Sequence, residues 1–191
     1  GVEVTPEIGR VMVEHFSKMP IGLDPLDHER LWYEMWRPKL VGRRGITTRV
    51  LGGIDIALWD IRGKALNLPI YELLGGKVRD SILLYTHPDQ TGWDSDERIE
   101  EEVIKIVESG HTAMKFYPFP FTGEQAKQNA GYLSGTLDRP SERVAARITA
   151  KVREVAGEDM EVLIDAHGRF NVPNAIRLCN TLEDAGNITW L

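Results

Sequence analysis

The stretch GGIDIALWDIRGKALNLPIYELLGGKVRD, residues 52–80, decides the fold. Apolar residues recur within it and just before it at intervals of three and four positions: Leu51, Ile54, Ala57, Leu58, Ile61 and Ala65. This spacing places them on one face, so the sequence predicts an amphipathic helix over residues 49–66. Pro69 ends that pattern, and a short helical turn over residues 69–74 is predicted before the glycine pair 75–76.

The sequence before this stretch predicts two more amphipathic helices, over residues 6–19 and 27–36. The second carries a stripe of Leu31, Trp32 and Met35 at helical spacing. Aromatic and apolar side chains in such a stripe are typical of a buried helix face rather than of a ligand-binding surface. We therefore expect the first part of the chain to be helical.

The pattern changes at residue 81, where short apolar runs begin to alternate with amphipathic segments. The runs predict four strands, at residues 81–86, 111–116, 161–165 and 188–191. The segments between them predict three helices, at residues 96–109, 141–156 and 171–185. Alternating strands and helices form parallel βαβ units, so the predicted fold class is α/β. A long polar segment over residues 118–139 follows the second strand and is of a length typical of functional loops.

Composition excludes several classes of protein. The chain has 191 residues, a net charge of −6 and a single cysteine. An acidic balance argues against general binding to nucleic acids or anionic membranes, because both require a basic surface. Cys179 has no partner for an internal disulfide, and no phosphate-binding glycine loop or zinc-protease motif occurs. No run approaches a membrane span or a signal peptide, so we expect a cytoplasmic protein.

Asp165 and His167 are the strongest candidates for chemistry. Asp165 ends the apolar run Val162–Ile164, and a carboxylate there is costly unless it is paired or binds a metal. Its oxygens suit Mg²⁺, although a helix cap or a loop ion pair would also explain it. His167 lies two residues further on, the spacing that keeps side chains on one side of a strand, and histidine exchanges protons near neutral pH.

The second predicted strand ends in a similar pattern. Lys115 and Tyr117 are two residues apart, and Lys115 is a candidate base or a cation that would stabilise an oxyanion. Arg169 follows His167 and could bind a substrate carboxylate, or simply pair with a neighbouring acid. Because the carboxyl ends of parallel strands meet on one side of a sheet, we expect these residues to lie together.

Residues 52–80 closely resemble the enolase superfamily, and within it the mandelate racemase and muconate lactonizing enzyme subgroup. In that family this segment joins an α+β capping domain to a (β/α)₇β barrel. The resemblance implies the helical part of a capping domain over residues 1–78 and the first units of a partial TIM-type barrel over residues 79–191. It implies Mg²⁺ as cofactor, with Asp165 as the first of three acidic ligands.

The sequence Asp165-Ala-His167-Gly-Arg169 resembles the acid-sugar dehydratases of this family, especially the galactonate dehydratase type. The resemblance implies that an aldonate loses water through an enediolate to give a 2-keto-3-deoxy acid, with His167 as general acid. It also implies a small-molecule sugar acid as the binding partner, which Tyr117 could contact, and a homo-oligomer for the full-length protein.

The second strand departs from the racemase pattern. Racemases and lactonizing enzymes of this family carry Lys-x-Lys, whereas this chain has Lys115-Phe-Tyr117. This difference argues against the two-base racemase mechanism and agrees with a dehydratase. The alternatives are a cycloisomerase or epimerase of the same subgroup, or a truncated, non-catalytic fragment. A complete barrel takes about 250 residues, far more than follow Asp80. We therefore expect a partial chain, with the base and two further metal ligands beyond Leu191.

Overall fold

The computed structural model describes residues 6–37, 45–91, 93–119 and 134–191. The chain divides into two compact units, Gly1–Ser81 and Ile82–Leu191. Most of the predicted long polar segment over residues 118–139 lies outside the described residues. None of the helices in the described part of the chain is both long enough and apolar enough to cross a membrane.

The first unit is helical, as its periodicity predicts. Its helices are α1 (Pro6–Ser17), α2 (His28–Trp36), α3 (Ile46–Leu66) and α4 (Ile70–Leu73). Helix α3 packs against both α1 and α2, and the buried core includes Phe16, Leu31, Met35 and Leu51. Helix α3 begins three residues earlier than predicted and ends at a left-handed residue, Asn67, whose backbone N–H caps the last turn.

The second unit combines two short strands with three helices. Its elements are α5 (Asp96–Glu108), β1 (Ala113–Phe116), α6 (Arg139–Ala156), β2 (Glu161–Ile164) and α7 (Val172–Gly186). All three helices begin at a capping side chain: Ser95, Asp138 and Asn171 each accept a hydrogen bond from a backbone N–H in the first turn. These caps explain why the helices start close to their predicted positions.

The two strands are parallel, and single bridges extend the pairing on either side. Lys115 aligns with Leu163, and Phe116 aligns with Ile164. Thr86 bridges to β1 on one side, and Trp190 bridges to β2 on the other. The four pieces of backbone therefore lie side by side in chain order, with all their carboxyl ends at one edge of the sheet.

One predicted strand is wrong as stated. Residues 81–86 were expected to form a buried strand, but only Thr86 pairs with a neighbour, and Leu83 is 93% exposed. An apolar run becomes a buried strand only when other elements cover it. In the part of the chain that the structure describes, residues 82–85 have no such cover. The fourth strand, over residues 188–191, is likewise reduced to the bridge at Trp190.

Alternation along β1 separates the core from the candidate site. Met114 and Phe116 are buried in the core beneath the helices, together with Ile99, Val103 and Val162. Because successive side chains of a strand point to opposite faces, Lys115 points to the face away from this core. The sheet thus presents its ionisable side chains on the side that the helices leave uncovered.

Candidate active site at the carboxyl ends of the parallel strands

Lys115 and Asp165 meet because the pairing of β1 and β2 continues one residue past β2. The Asp165 backbone N–H donates to the Phe116 carbonyl at 2.9 Å. This bond holds Asp165 beside the end of β1, where Lys115 Nζ lies 3.0 Å from Asp165 Oδ2. The two side chains are only 14% and 28% exposed, so the ion pair is largely shielded from solvent.

The pairing stabilises the charged form of both groups. Burial acts to raise the pKa of Asp165, but the hydrogen bonds from Lys115 and from the His167 backbone outweigh it, and the pKa lies below its usual value. The hydrogen bond to Asp165 raises the pKa of Lys115 above its usual value, against the opposing effect of burial. Both groups are therefore charged at neutral pH, and Lys115 here is an ammonium cation rather than a ready base.

His167 is held against Asp165 by two contacts. Its backbone N–H donates to Asp165 Oδ1 at 3.1 Å, and its Nδ1 atom lies 3.1 Å from the same oxygen. His167 has a φ of +52°, in the left-handed region that residues other than glycine rarely adopt. The carboxylate thereby fixes the ring through Nδ1, which leaves Nε2 as the nitrogen available to a bound molecule. The His167 side chain is 42% exposed, so such a molecule can reach it.

Tyr117 and Arg169 complete the group of residues predicted from the sequence. The Tyr117 ring packs edge-on against His167, with 5.4 Å between ring centroids. The guanidinium carbon of Arg169 lies 5.5 Å from the centre of the Tyr117 ring, within the range of a cation–π contact. The structure therefore brings together all five predicted residues, namely Lys115, Tyr117, Asp165, His167 and Arg169.

Two neighbours of this group were missed in the sequence. Lys115 Nζ lies 5.1 Å from the centre of the Tyr85 ring, which also contacts His87. The two-residue spacing of Tyr85 and His87 at the end of a predicted strand was a usable signal. The side chain of Gln90 forms two hydrogen bonds with the backbone of Tyr117. No local pattern indicates this contact, because the two residues are 27 positions apart in the chain.

The described residues do not by themselves form a magnesium site. Mg²⁺ prefers oxygen ligands in octahedral geometry, commonly from one or two carboxylates together with water and substrate oxygens. Asp165 supplies one such carboxylate. Within residues 6–37, 45–91, 93–119 and 134–191 there is no group of three or more His, Cys, Asp or Glu side chains that could hold a metal ion.

Comparison with known families accounts for this arrangement. The family model described as "Mandelate racemase / muconate lactonizing enzyme, N-terminal domain" matches residues 4–75, and the one described as "Enolase C-terminal domain-like" matches residues 98–191. The chain belongs to the mandelate racemase and muconate lactonizing enzyme family of the enolase superfamily. The family resemblance of residues 52–80 is thus confirmed, and members of this family typically depend on Mg²⁺.

Several relatives carry dehydratase names. The chain is 36% identical to a D-galactonate dehydratase family member of Streptomyces bingchenggensis, over 93% of this chain and 46% of that protein. It is 34% identical to a D-gluconate dehydratase of Thermoproteus tenax, over 90% of this chain and 32% of that protein. It is 32% identical to a D-xylonate dehydratase of Haloferax volcanii, over 94% and 43%. The chain spans about half the length, or less, of the curated relatives it matches.

Solved structures of the family share the fold. A mandelate racemase/muconate lactonizing enzyme-like protein from Rubrobacter xylanophilus matches with a TM-score of 0.81 and 31% identity, over 100% of this chain and 52% of that one. A member of the enolase superfamily from Salmonella Typhimurium matches with a TM-score of 0.80 and 29% identity, over 97% and 50%. The α/β fold class predicted from the alternating elements is therefore confirmed.

Proposed function

We propose that this chain carries part of the active site of an acid-sugar dehydratase, which removes water from an aldonate to give a 2-keto-3-deoxy acid. The observation that carries the proposal is the fixed contact between Asp165 and His167 beside Lys115, at the carboxyl ends of two parallel strands. The names of the galactonate, gluconate and xylonate dehydratase relatives support the same reaction class.

The proposed architecture is the first part of a (β/α)₇β barrel, over residues 79–191, preceded by the helical part of a capping domain over residues 1–78. The order of the strands supports this architecture, because Thr86, β1, β2 and Trp190 lie side by side in the order in which they follow along the chain. A doubly wound sheet would instead reverse its strand order at a switch point. In a barrel of this kind, the carboxyl ends of the strands hold the chemistry.

In this proposal His167 acts as the general acid. Loss of the hydroxyl at C3 of the sugar acid requires a proton, and the protonated His167 ring would donate it from Nε2 so that the group leaves as water. Asp165 lies 3.1 Å from Nδ1 and holds the ring in this orientation. The ammonium of Lys115 and the guanidinium of Arg169 would attract the substrate carboxylate, and Tyr117 would contact the sugar chain.

Magnesium enters the proposal through Asp165. When bound, the ion would act as a Lewis acid that stabilises negative charge on the substrate carboxylate. Asp165 would supply one oxygen ligand, and the remaining ligands would come from residues other than those described. Asp165 already accepts hydrogen bonds from Lys115 and His167, so its ionised form, which a metal requires, is favoured.

Dehydration is favoured over epimerisation or cycloisomerisation by the end of β1. In the racemase pattern Lys-x-Lys the second lysine is a base of the two-base mechanism, and this chain has Tyr117 at that position. The proposed enzyme acts on a small sugar acid in the cytoplasm as a homo-oligomer. Analytical ultracentrifugation of the purified protein tests its assembly state.

The test uses the protein as its natural gene encodes it, incubated with galactonate, gluconate and xylonate in the presence of Mg²⁺. We expect a 2-keto acid product from at least one of them. His167→Asn should lower turnover by a factor of about 10²–10⁴, the contribution of a general acid, while Mg²⁺ binding measured by calorimetry is retained.

His111→Asn is the matched control. His111 lies at the opposite end of β1, where its ring bonds to Ser109, so the same change there should leave turnover intact. Wild-type turnover in the His167 variant would contradict the assigned role. Epimerised or ring-closed products without any 2-keto acid would overturn the proposed reaction in favour of another activity of the family. A protein that binds no Mg²⁺ and converts no aldonate would show a non-catalytic relative.

A further inference from the structure

Gln90 occupies a position where the backbone pairing of β1 would otherwise stop. The Lys115 N–H donates to the Thr86 carbonyl at 2.8 Å, as a neighbouring strand requires. Two residues further on, the Tyr117 N–H donates instead to Gln90 Oε1 at 3.0 Å, and Gln90 Nε2 donates to the Tyr117 carbonyl at 2.8 Å. A side-chain amide thus replaces a strand backbone at the end of β1.

The turn that presents Gln90 is itself held in place. The Asp89 backbone N–H donates to Glu102 Oε2 at 3.3 Å, and Glu102 lies on α5 with a side chain only 11% exposed. Asp89 Oδ1 accepts the Thr91 N–H at 3.0 Å, which closes a tight turn around Gln90. The Trp93 N–H then donates to the Gln90 carbonyl at 3.3 Å, and the Trp93 ring is buried against Phe116.

The lowered pKa values of Asp89 and Glu102 agree with this anchoring. Hydrogen bonds from Thr91 lower the pKa of Asp89. The hydrogen bond from Lys105 lowers the pKa of Glu102 against the effect of burial, with a further contribution from the Asp89 N–H. Both carboxylates are therefore ionised at neutral pH and accept these bonds as charged acceptors, which makes the bonds stronger than neutral ones.

Fixing the Tyr117 backbone fixes what its ring can touch. The ring lies edge-on to His167, and Arg169 lies over its face. A free strand end could swing by an ångström or more, and displacements of that size at a reacting group lower rates about a hundredfold. The two hydrogen bonds from Gln90 act on both polar groups of the Tyr117 backbone at once, so they restrain its rotation as well as its position.

We infer that Gln90 is a positioning residue, which acts through the Tyr117 backbone to set the place of the Tyr117 ring against His167. Its role in turnover rests on the proposed function, whereas its effect on Tyr117 and His167 does not. The residue is assigned no contact with substrate. Glu102 supports the same arrangement from α5 by holding the Asp89 turn.

The test compares three variants of the protein by nuclear magnetic resonance. Gln90→Met removes both hydrogen bonds at similar side-chain volume. Gln90→Glu keeps an acceptor for the Tyr117 N–H but sets a carboxylate oxygen against the Tyr117 carbonyl. Asn180→Asp is the matched control, because it makes the same amide-to-acid change on the exposed face of α7.

We expect amide hydrogen exchange at Tyr117 to accelerate roughly fivefold to tenfold in Gln90→Met, the change that follows from losing one hydrogen bond. The His167 ring resonances should shift in both Gln90 variants, because the Tyr117 ring that shields them has moved. Amides of the β2 core should keep their exchange rates, and Asn180→Asp should change neither signal. Circular dichroism melts establish that each variant is folded before it is compared.

The activity arm uses the aldonate that the wild type converts best. The Gln90 variants should lose turnover by about tenfold to a hundredfold, with a smaller change in KM. Unchanged Tyr117 exchange, or faster exchange with unmoved His167 resonances, would overturn the inference. If the resonances respond as expected but the wild type dehydrates no aldonate, the inference on Gln90 stands and the proposed function fails.

Discussion

The two ends of the parallel sheet are built from different kinds of contact. At the carboxyl end, ionisable side chains meet one another, as Lys115, Asp165 and His167 show. At the amino end, all the hydrogen bonds that the guanidinium of Arg153 on α6 donates within the described part of the chain go to backbone carbonyls. It contacts those of Gly157, Glu158, Met160, Gly186 and Asn187, at distances between 2.7 and 3.3 Å.

The difference separates chemistry from stability. Carbonyls before β2 and at the end of α7 lie where regular helix and strand bonding stops, and Arg153 donates to them without offering a group that could react. At the other end, charged groups form pairs with one another, and a bound anion or metal ion can compete with these contacts. In barrels of this class the carboxyl ends of the strands carry function and the amino ends carry stability. Substitutions at the two ends should therefore have separable effects.

The largest effect on stability is expected from Arg153→Met. The substitution leaves up to five carbonyls without their donor, so we expect the free energy of unfolding to fall by about 2–4 kcal/mol. Arg169→Met at the carboxyl end is the control and should cost less than about 1 kcal/mol. Urea melts measure both. Equal losses at the two positions would contradict the proposed division between the two ends.

The next effect is expected from Gly186→Ala, also at the amino end. A Cβ atom at residue 186 would lie 2.7 Å from Thr149 Cγ2 and 3.0 Å from the Thr149 carbonyl, so α6 and α7 would have to separate. We expect a loss of about 1–3 kcal/mol in thermal or urea unfolding.

Two further variants check the cause. Thr149→Ser removes the clashing methyl group and should restore part of the loss when combined with Gly186→Ala. Gly53→Ala in α3, where the new Cβ meets no atom within 4 Å, should raise helix stability by up to about 1 kcal/mol. A Gly186 variant as stable as the wild type would show that the two helices are not closely packed there.

A smaller effect is expected at Asn171, which caps the first turn of α7 and lies at the carboxyl end of the sheet. Its Oδ1 accepts the Asn174 N–H at 3.1 Å, and its Nδ2 donates to the Ser134 carbonyl at 3.0 Å. Asn171→Ala should cost about 1–2 kcal/mol, since both contacts are lost. Asn171→Asp keeps the capping acceptor and should cost less, which chemical denaturation can resolve. If the two variants lose the same stability, the bond to Ser134 rather than the cap is the important contact.

The smallest effect is a pH dependence from the Lys115–Asp165 pair. Since the pKa of Asp165 is lowered in the folded state, its contribution is complete above about pH 4 and is lost as the pH falls through the folded value. Since the pKa of Lys115 is raised, its contribution is complete below about pH 10.5 and is lost as the pH rises through the folded value.

Asp165→Asn should therefore flatten the acid limb of the stability curve by about 1 kcal/mol, a modest figure because solvent still reaches 14% of the Lys115 and 28% of the Asp165 side chain and screens the pair. Urea melts between pH 2.5 and 7 measure the limb. Glu158 is exposed at the amino end, and Glu158→Gln should leave the acid limb as it is in the wild type. An unaltered acid limb in Asp165→Asn would show that the ion pair contributes nothing to folding.

Much of the fold could be predicted because the relevant signals are local. Helical periodicity predicted α1 to α3, and the capping residues Asp138 and Asn171 lie where the sequence pattern changes. The run of residues 81–86 was mispredicted because burial depends on what covers a segment. The sequence of the segment itself carries no information about that cover.

The sequence alone indicated the family, through the resemblance of residues 52–80, together with the order of the helices and the five residues at the strand ends. The helices and the five residues follow from spacing along the chain, and parallel strands bring those residues to one edge of the sheet. Only the tertiary structure decided that Lys115 pairs with Asp165, that His167 turns its Nδ1 to the same carboxylate, and that Gln90 holds Tyr117. The contacts of Lys115 with Asp165 and of Gln90 with Tyr117 join residues 50 and 27 positions apart, and the register of the strands and the course of the loops bring them within hydrogen-bonding distance.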